Sequence, residues 1–275
     1  MVFKLQYISD IHLEMHDKHD EGYIIPSMFL KPVAPYLALC GDIGIPELKG
    51  YDAFLAWCSK SWKKVFVIAG NHEFYTYRCT AKADIPTKLQ LIQTIVSKYP
   101  NVYFLNKASH YIEEDNIRIL GCTLWTDTSG GDTKAMLLYM NDTKQIYVSG
   151  SENLLPQDVT TMHIDHREWL QNQIQEAKER QESVVVLTHH LPSYQLIHEK
   201  YENHPLNMCF ASNCEHLMMS PVEAWICGHS HTGLLKDIKG VACYLNPYGY
   251  PGERVETRNR TAVFSLGIKD ENLDI

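Results

Sequence analysis

The stretch VFVIAGNHE, residues 65–73, places potential metal ligands directly after a buried strand. Its first five residues are apolar and rich in Val, which is typical of a strand that is covered on both faces. Gly70 ends the apolar run, and Asn71, His72 and Glu73 follow at once. Ligands in open α/β folds bind outside the carboxyl ends of the strands. The stretch therefore predicts an α/β sheet with a functional site at this strand end.

Four further apolar runs end in the same way. The runs FKLQYIS, YLALCG, SVVVLT and AWICG are followed by Asp10-Ile11-His12, Asp42, His189-His190 and His229-Ser230-His231, respectively. Each fragment alone is common turn chemistry. No requirement of folding, however, puts these residue types in this order after strands. The five strand ends therefore predict one shared site, and a pair of metal ions is its expected occupant.

The rest of the chain fits a mixed α/β architecture, in which early βαβ alternation is followed by antiparallel strands. Strands are predicted over 2–9, 36–40, 64–69, 102–105, 109–113, 116–121, 183–188, 224–228, 233–238, 241–245 and 261–266. Helices are predicted over 51–60, 86–98, 135–146 and 158–182, and a loop over 14–22.

Composition and length narrow the class of protein. The chain has 275 residues, 45% of them hydrophobic, and a formal net charge of −8, which disfavours binding to bulk nucleic acid or anionic membranes. Since the ligand candidates run from Asp10 to His231, we expect one domain over residues 1–275. No apolar stretch approaches a membrane span, and the first strand leaves no room for a signal peptide, so a cytoplasmic protein is expected. The eight cysteines contain no C-x-x-C pair and are expected to be free thiols.

The spacing of the ligand candidates suggests how ions are held. Asp10 and His12 are two positions apart, and in an extended chain such residues face the same side and can ligate one ion. His229 and His231 repeat that spacing. Asp42 has two carboxylate oxygens and can bridge two ions.

Charge then suggests a substrate. Asn71 adds a neutral oxygen ligand, so two divalent ions with Asp10 and Asp42 carry a formal surplus of about +2, which suits a phosphate and its transition state. Ions about 3.5–4 Å apart activate a bridging water for in-line attack. His72 is expected not to bind metal but to stabilise developing charge or protonate the leaving oxygen. The mixed ligand set fits Mn, Fe, Zn or Ni better than an ion that prefers oxygen alone.

The ordered motifs resemble those of the calcineurin-like metallophosphoesterases. They read Asp10-x-His12, Gly41-Asp42, Gly70-Asn71-His72-Glu73, His189 and Gly228-His229-x-His231. The resemblance implies a four-layer αββα sandwich of two mixed β-sheets flanked by helices. It implies one ion held by Asp10, His12, Asp42 and His231, and a second held by Asp42, Asn71, His189 and His229. It also implies a metal-bridging hydroxide as the nucleophile and His72 as the catalytic residue. We expect Mn²⁺ in both places, with Fe, Zn, Ni or Mg as alternatives.

Two departures separate this chain from the protein Ser/Thr phosphatases of that superfamily. Those enzymes usually contain GDxVDRG and RGNHE, whereas this chain has GDIGI from residue 41 and AGNHE from residue 69, without the arginines. It is more similar to the small single-domain phosphoesterases, many of which cleave phosphodiesters. The segments LWTD (124–127), MND (140–142), HREWL (166–170) and NPYGYPGE (246–253) resemble one branch of these proteins but indicate no substrate.

The expected function is hydrolysis of a phosphoester bond in a small phosphorylated substrate, with a lean toward phosphodiesters such as cyclic nucleotides or nucleotide-like molecules. A phosphomonoesterase, including a protein phosphatase, is the alternative within the same chemistry. A catalytically inactive metal-holding scaffold or binding module is the alternative of another class. The complete ligand set and His72 argue against that module. The natural substrate, the physiological metals and the oligomeric state stay open at this stage.

Several other polar and aromatic residues have two interpretations each. A substrate role and a structural role are both open for Trp125, Asp127, Asn141, Asp142, Tyr248 and Tyr250. For His163 and His166 we expect a solvent-facing or intramolecular contact rather than a third metal. His190 is expected to face away from the site, with a role behind the ligands as the alternative. We expect a charged loop that contains His16, Asp17, His19 and Asp20. This loop is either solvated or lies at the rim of the pocket.

Overall fold

Two mixed β-sheets form the centre of the computed structural model, which describes residues 2–16, 24–79, 81–253, 255 and 257–267. In spatial order, the first sheet contains β13 (Val263–Gly267), β1 (Val2–Ile8), β2 (Tyr36–Cys40), β3 (Lys64–Ile68) and β4 (Val102–Phe104). Its strands are parallel except β13, which is antiparallel to β1.

The second sheet has six strands. In spatial order they are β11 (Leu234–Ile238), β12 (Val241–Leu245), β10 (Val222–Cys227), β9 (Ser183–Thr188), β6 (Ile117–Cys122) and β5 (Ala108–Ile112). The four inner strands are parallel and both edge strands are antiparallel to their neighbours. A separate short ribbon pairs β7 (Tyr147–Ser149) with β8 (Glu152–Asn153).

Helices cover the outer faces of both sheets. They are α1 (Leu13–His16), α2 (Lys49–Ser61), α3 (Ile85–Val96), α4 (Thr133–Tyr139), α5 (Asp142–Gln145) and α6 (Pro156–Glu179). One apolar core lies between the sheets and includes Leu5 and Leu187. A second joins the first sheet to α2 and α3, and a third joins the second sheet to α6 through Leu170. The four-layer αββα sandwich is therefore confirmed, and it explains why β2 is buried along its whole length.

The prediction of a single helix over 135–146 is wrong, because the structure has two short helices there. The backbone leaves the helical region at Met140, whose ψ is 135°, and re-enters it at Asn141, whose ψ is −23°. The interruption turns Asn141 and Asp142 toward the ends of the strands. The β7–β8 ribbon that follows was not predicted, since strands of two or three residues carry no usable periodicity.

Among the boundaries that differ from prediction, two bear on the site and its supporting helix. The long helix begins at Pro156 rather than 158, because the Asp158 carboxylate accepts a hydrogen bond from the Leu155 backbone N–H at 2.9 Å and caps the start. The predicted loop over 14–22 is helical from Glu14 to His16, and His16 packs its ring on Phe29. The rest of that loop, with Asp17, His19 and Asp20, lies outside the described residues.

All eight cysteines are free thiols, as predicted. Among the helices in the described ranges, none combines the length and apolar character needed to cross a bilayer.

Candidate metal centre

The five predicted strand ends meet at one edge of the two sheets. The Asp10 backbone N–H donates to the Gly41 carbonyl at 3.0 Å, which joins the ends of β1 and β2. His189, after β9 of the second sheet, donates from Nδ1 to the Cys40 carbonyl of β2 at 2.9 Å. The Gly228 N–H after β10 donates to the His189 carbonyl at 3.0 Å. Parallel strands from both sheets thus deliver their polar residues to one place.

The first group of side chains consists of Asp10, His12 and His231, whose ligand atoms all lie within 4.8 Å of one another. His12 Nε2 is 3.0 Å from His231 Nε2, and His231 Nε2 is 3.6 Å from Asp10 Oδ1. Asp10 is held in place by the His229 backbone N–H, which donates to its carboxylate at 3.0 Å. Asp10 and His12 are fully buried.

The second group consists of Asp42, His189 and His229, again with ligand atoms within 4.8 Å of one another. His189 Nε2 is 3.3 Å from Asp42 Oδ2 and 3.1 Å from Asn71 Oδ1. Asp42 also reaches the first group, since its Oδ2 is 3.9 Å from His12 Nε2. Asp42 therefore lies between the two groups and contacts both.

Each of the four histidines in these groups donates one ring N–H away from the centre. Their acceptors are Glu14 Oε1 for His12 (3.3 Å), the Cys40 carbonyl for His189 (2.9 Å), the Cys209 carbonyl for His229 (3.2 Å) and Glu253 Oε2 for His231 (2.7 Å). Once one nitrogen donates outward, the other nitrogen of a neutral imidazole carries a lone pair that faces inward. Such outward partners are the usual support of metal-binding histidines.

The inward-facing atoms are therefore acceptors that approach other acceptors. The His12 and His231 nitrogens face each other at 3.0 Å, and His189 Nε2 faces carboxylate and amide oxygens. Lone pairs at these distances repel unless a proton or a metal ion lies among them. Imidazole, carboxylate and amide donors suit borderline divalent metals. The residues present therefore fit two such ions.

Charges in the centre follow from burial and from Asp42. Burial would raise the pKa of the Asp42 carboxyl, but the neighbouring His189 and His72 hold it well below its usual range. Burial lowers the pKa of His189, yet the Asp42 carboxylate outweighs this and raises it to about 10. Burial and the adjacent His190 and His189 hold the pKa of His229 well below its usual range. The carboxylate thus stabilises positive charge on His189, which a metal ion replaces when it displaces the proton.

His72 lies beside both groups but points its two nitrogens to other partners. Its Nδ1 donates to Glu14 Oε1 at 3.0 Å. Its Nε2 is 3.9 Å from Asp42 Oδ2 and 3.3 Å from the Tyr250 hydroxyl. Burial lowers the pKa of His72, but Asp42 and Glu14 raise it to about 9.

Glu14 is a site residue that the sequence did not reveal. It was assigned to a loop, but it is 3% exposed and its Oε1 contacts both His12 and His72. The chain turns at His12, where φ is 53°, and enters α1, which brings Glu14 back under the site. Its partner His72 is 58 positions away, so no local pattern could have signalled the contact. Burial raises the pKa of Glu14, but hydrogen bonds from His12 and His72 lower it to about 2.

Backbone conformation corrects one sequence argument. Extended geometry was expected for Asp10-x-His12 and His229-x-His231, but all four residues have left-handed φ values, of 54°, 53°, 70° and 49°. Asp10 and His12 still share a group. His229 and His231 do not, because the turned backbone sends their side chains to different groups. The idea that this pair can share one ion is therefore wrong.

Glu73, the last residue of the GNHE motif, ties two strand ends together. Its carboxylate accepts backbone N–H groups from Gly70 at 2.7 Å, Asp42 at 2.9 Å and Ile43 at 2.8 Å. Burial, followed by repulsion from Asp42, raises the pKa of Glu73 to about 7. Gly70 must be glycine here, because a Cβ would collide with Asp42 Oδ1.

Some residues of the other sequence motifs support the ligands of the metal centre, whereas others lie away from the cavity. Asp142 accepts hydrogen bonds from Asn71 Nδ2 at 2.8 Å and the Tyr75 hydroxyl at 2.6 Å, which turns Asn71 Oδ1 toward His189. Asn141 lines the cavity next to it. Trp125 is buried against Phe74 and His190, and neither it nor Asp127 lines the cavity within the described residues.

The two tyrosines have different positions. Tyr250 lines the cavity, with its ring centroid 4.4 Å from that of His12. Tyr248 packs in the apolar core against Phe29, so packing is the correct interpretation for it.

Three other histidines, His163, His166 and His190, make structural contacts. His163 Nδ1 is 3.1 Å from the Leu124 carbonyl, and His166 Nδ1 accepts the Leu124 N–H at 3.1 Å. Intramolecular contact is thus confirmed for both, and solvent exposure is wrong. The expectation that His190 faces away is also wrong, because its ring packs 4.4 Å from that of His229.

A cavity of about 370 Å³ opens onto the centre. Its inner end is lined by Asp42, Asn71, His72 and the residues of the Gly-His-x-His segment. Its outer walls come from residues 139–141 and from residues 197–210.

The family model of the calcineurin-like phosphoesterases, which describes the sequences of that family, matches residues 4–233 of this chain. The chain belongs to this family, and it is a phosphoesterase of the metal-dependent kind. It is 27% identical over 264 residues to the uncharacterized protein L509 of Acanthamoeba polyphaga mimivirus, which covers 91% of this chain and 92% of that protein.

Two solved structures share the fold. Phosphopantetheinyl hydrolase from Mycobacterium tuberculosis is 17% identical with a TM-score of 0.66, over 96% of this chain and 95% of that one. A dimetal phosphatase from Danio rerio is 15% identical with a TM-score of 0.52, over 88% and 86%.

Proposed function

We propose that this protein hydrolyses phosphodiesters at a centre of two divalent metal ions. The position of Asp42 carries the proposal, since its Oδ2 is 3.3 Å from His189 Nε2 in one group and 3.9 Å from His12 Nε2 in the other. A carboxylate that bridges two metal ions must lie between two clusters of ligand atoms, and Asp42 has this position.

We assign the ligands to two ions in the following way. The first ion binds Asp10, His12, Asp42 and His231, and the second binds Asp42, Asn71, His189 and His229. The outward hydrogen bonds of all four histidines support this assignment, because they leave one lone pair of each ring for the metal. Mn²⁺ is the proposed metal, with Fe, Zn, Ni or Mg as alternatives.

When bound, the two ions would polarise the phosphoryl oxygens and activate a water for attack. His72 supplies the proton for the leaving oxygen. Its Nδ1–H is held by Glu14, which leaves Nε2 beside Asp42 and the Tyr250 hydroxyl. Against the effect of burial, Asp42 and Glu14 raise the pKa of His72, which favours the protonated ring that a general acid requires.

The charge around the centre supports a diester rather than a monoester. A phosphodiester carries one negative charge, whereas a monoester carries nearly two at neutral pH. Glu14 lies behind His12 and His72, and Glu253 lies behind His231, so both offset the positive charge of the ions. Among the described residues that line the cavity there is no arginine to bind a second charge on the phosphorus.

We further propose that residues 1–275 form one domain. Support comes from the core between the sheets, to which both sheets contribute, and from the centre, which takes residues from Asp10 to Glu253.

The proposed activity is tested by comparing two chromogenic esters. Purified protein with added Mn²⁺ is expected to cleave bis-p-nitrophenyl phosphate with a higher kcat/KM than p-nitrophenyl phosphate, and to lose both activities after chelation. A clear preference for the monoester contradicts the diester assignment. Metal-replete protein that cleaves neither ester would instead indicate a binding module.

Glu14→Gln is expected to lower kcat for bis-p-nitrophenyl phosphate about tenfold at pH 8 while metal content is unchanged. The amide oxygen can still accept the His72 Nδ1–H, but the negative charge that raises the pKa of His72 is lost. His72 then deprotonates at lower pH, so the alkaline limb of the kcat–pH profile should move to lower pH.

Exposed Glu113 offers a matched control, because Glu113→Gln changes the same charge far from the centre. An unchanged profile in Glu14→Gln would remove Glu14 from the catalytic arrangement.

A further inference from the structure

The outer wall of the cavity brings one positively charged side chain together with two that donate hydrogen bonds. His198, Lys200 and His204 all line it. Within the described part of the chain, the carboxylates that line the cavity are Asp42, which is buried at the metal centre, and Glu253, which is exposed and paired with His231 at 2.7 Å. In a protein of net charge −8, this wall is a local site for an anion.

Backbone contacts keep the two outer histidines in a donating form. His198 Nδ1 accepts the Lys200 N–H at 3.1 Å, and His204 Nδ1 accepts the Leu206 N–H at 3.2 Å. A neutral ring whose Nδ1 accepts carries its hydrogen on Nε2, so each of these rings presents an N–H donor. Over the described ranges Lys200 forms no ion pair, and its ammonium lies 4.8 Å from the ring centroid of Tyr201.

This wall is fixed relative to the metal centre. The Cys209 carbonyl accepts the His229 Nε2–H at 3.2 Å, and the Phe210 ring stacks on His229 with centroids 4.6 Å apart. The Leu191 N–H donates to the Phe210 carbonyl at 3.0 Å and ties the segment to the end of β9. The end of this segment at Cys209 and Phe210 is therefore attached directly to the metal centre.

We propose that His198, Lys200 and His204 bind a second anionic group, a carboxylate or a phosphate, on the organic part of the substrate. The inference rests on the proposed phosphoesterase site at the inner end. Apolar side chains also line the cavity, among them Met140, Leu206 and Phe210. The substrate class is thus a phosphoester whose organic group carries a further anion at its far end.

The test uses p-nitrophenyl ω-carboxyalkyl phosphates of graded chain length, each paired with its uncharged methyl ester. Wild-type protein with Mn²⁺ is expected to show a kcat/KM about tenfold higher for the carboxylate at the best length, as one charge-assisted hydrogen bond implies. Lys200→Gln should remove this preference without lowering kcat/KM for the methyl ester. Lys60→Gln, which removes an exposed lysine of α2, should leave the preference intact.

Calorimetry measures binding without turnover, so it tests the anion subsite independently of the proposed hydrolytic activity. The ω-carboxyalkyl phosphates, their methyl esters and the matching bisphosphates are titrated into metal-loaded protein. Tighter binding of either the ω-carboxyalkyl phosphates or the bisphosphates than of the methyl esters, lost in Lys200→Gln, supports the subsite even if no ester is cleaved. Equal binding of charged and uncharged compounds overturns the inference, whatever the turnover.

Discussion

Asp42→Ala is expected to abolish metal binding and turnover together. The Asp42 carboxylate lies between the two groups of ligands, so its loss removes a ligand from both proposed ions at once. It also removes the acceptor of the His72 backbone N–H, 2.8 Å from Asp42 Oδ1, which helps to hold the GNHE turn. Because a metal centre contributes several kcal/mol to transition-state stabilisation, kcat/KM for bis-p-nitrophenyl phosphate should fall about a thousandfold or more.

The measurement is metal content per chain after reconstitution with Mn²⁺, together with kcat/KM. Asp165→Ala is a suitable control, because Asp165 is an exposed aspartate on α6 that pairs with Lys107. Far-UV circular dichroism should show the same fold in wild type and both variants. Retention of two ions by Asp42→Ala would contradict the bridging role.

His72→Ala is expected to behave differently, keeping its metal and losing turnover. The His72 ring bonds to Glu14 and faces Tyr250, and it belongs to neither of the two proposed ligand sets. Removing a general acid typically costs a factor of about 10² to 10⁴ in kcat. KM should change little, since the proton is transferred in the transition state.

Leaving-group dependence makes this prediction specific. If His72 protonates the leaving oxygen, the loss of kcat in His72→Ala should be larger for a phenyl ester than for a p-nitrophenyl ester. The p-nitrophenyl leaving group departs more readily without a proton. His216→Ala, at an exposed histidine, provides the control. Full activity of His72→Ala, or loss of an ion from it, would refute the assigned role.

The fold was predictable to the extent that it depends on buried strands. Runs such as SVVVLT are apolar along their whole length because both sheet faces are covered, and their ends carry the polar residues of the centre. The helix break at Met140 was not predictable from periodicity. No glycine or proline marks it, and long-range hydrogen bonds from Asn71 and Tyr75 to Asp142 accompany it.

The site was predictable as a set of residues but not as a geometry. Spacing correctly grouped Asp10 with His12, although for the wrong reason, because their backbone is left-handed rather than extended. Glu14 was not singled out, and Glu253 only as part of a motif without a role, because what defines both is contact with histidines distant in the chain. The partners of a buried carboxylate are set by tertiary structure, which local pattern does not record.

Metal stoichiometry measured alongside activity tests the central proposal most directly. Apo protein is titrated with Mn²⁺, and bound metal per chain is determined by elemental analysis at each point where hydrolysis of bis-p-nitrophenyl phosphate is measured. We predict saturation at two ions per chain, with activity appearing only as the second ion binds. Saturation at one ion, or hydrolysis that persists in the metal-free protein, would contradict a two-metal centre.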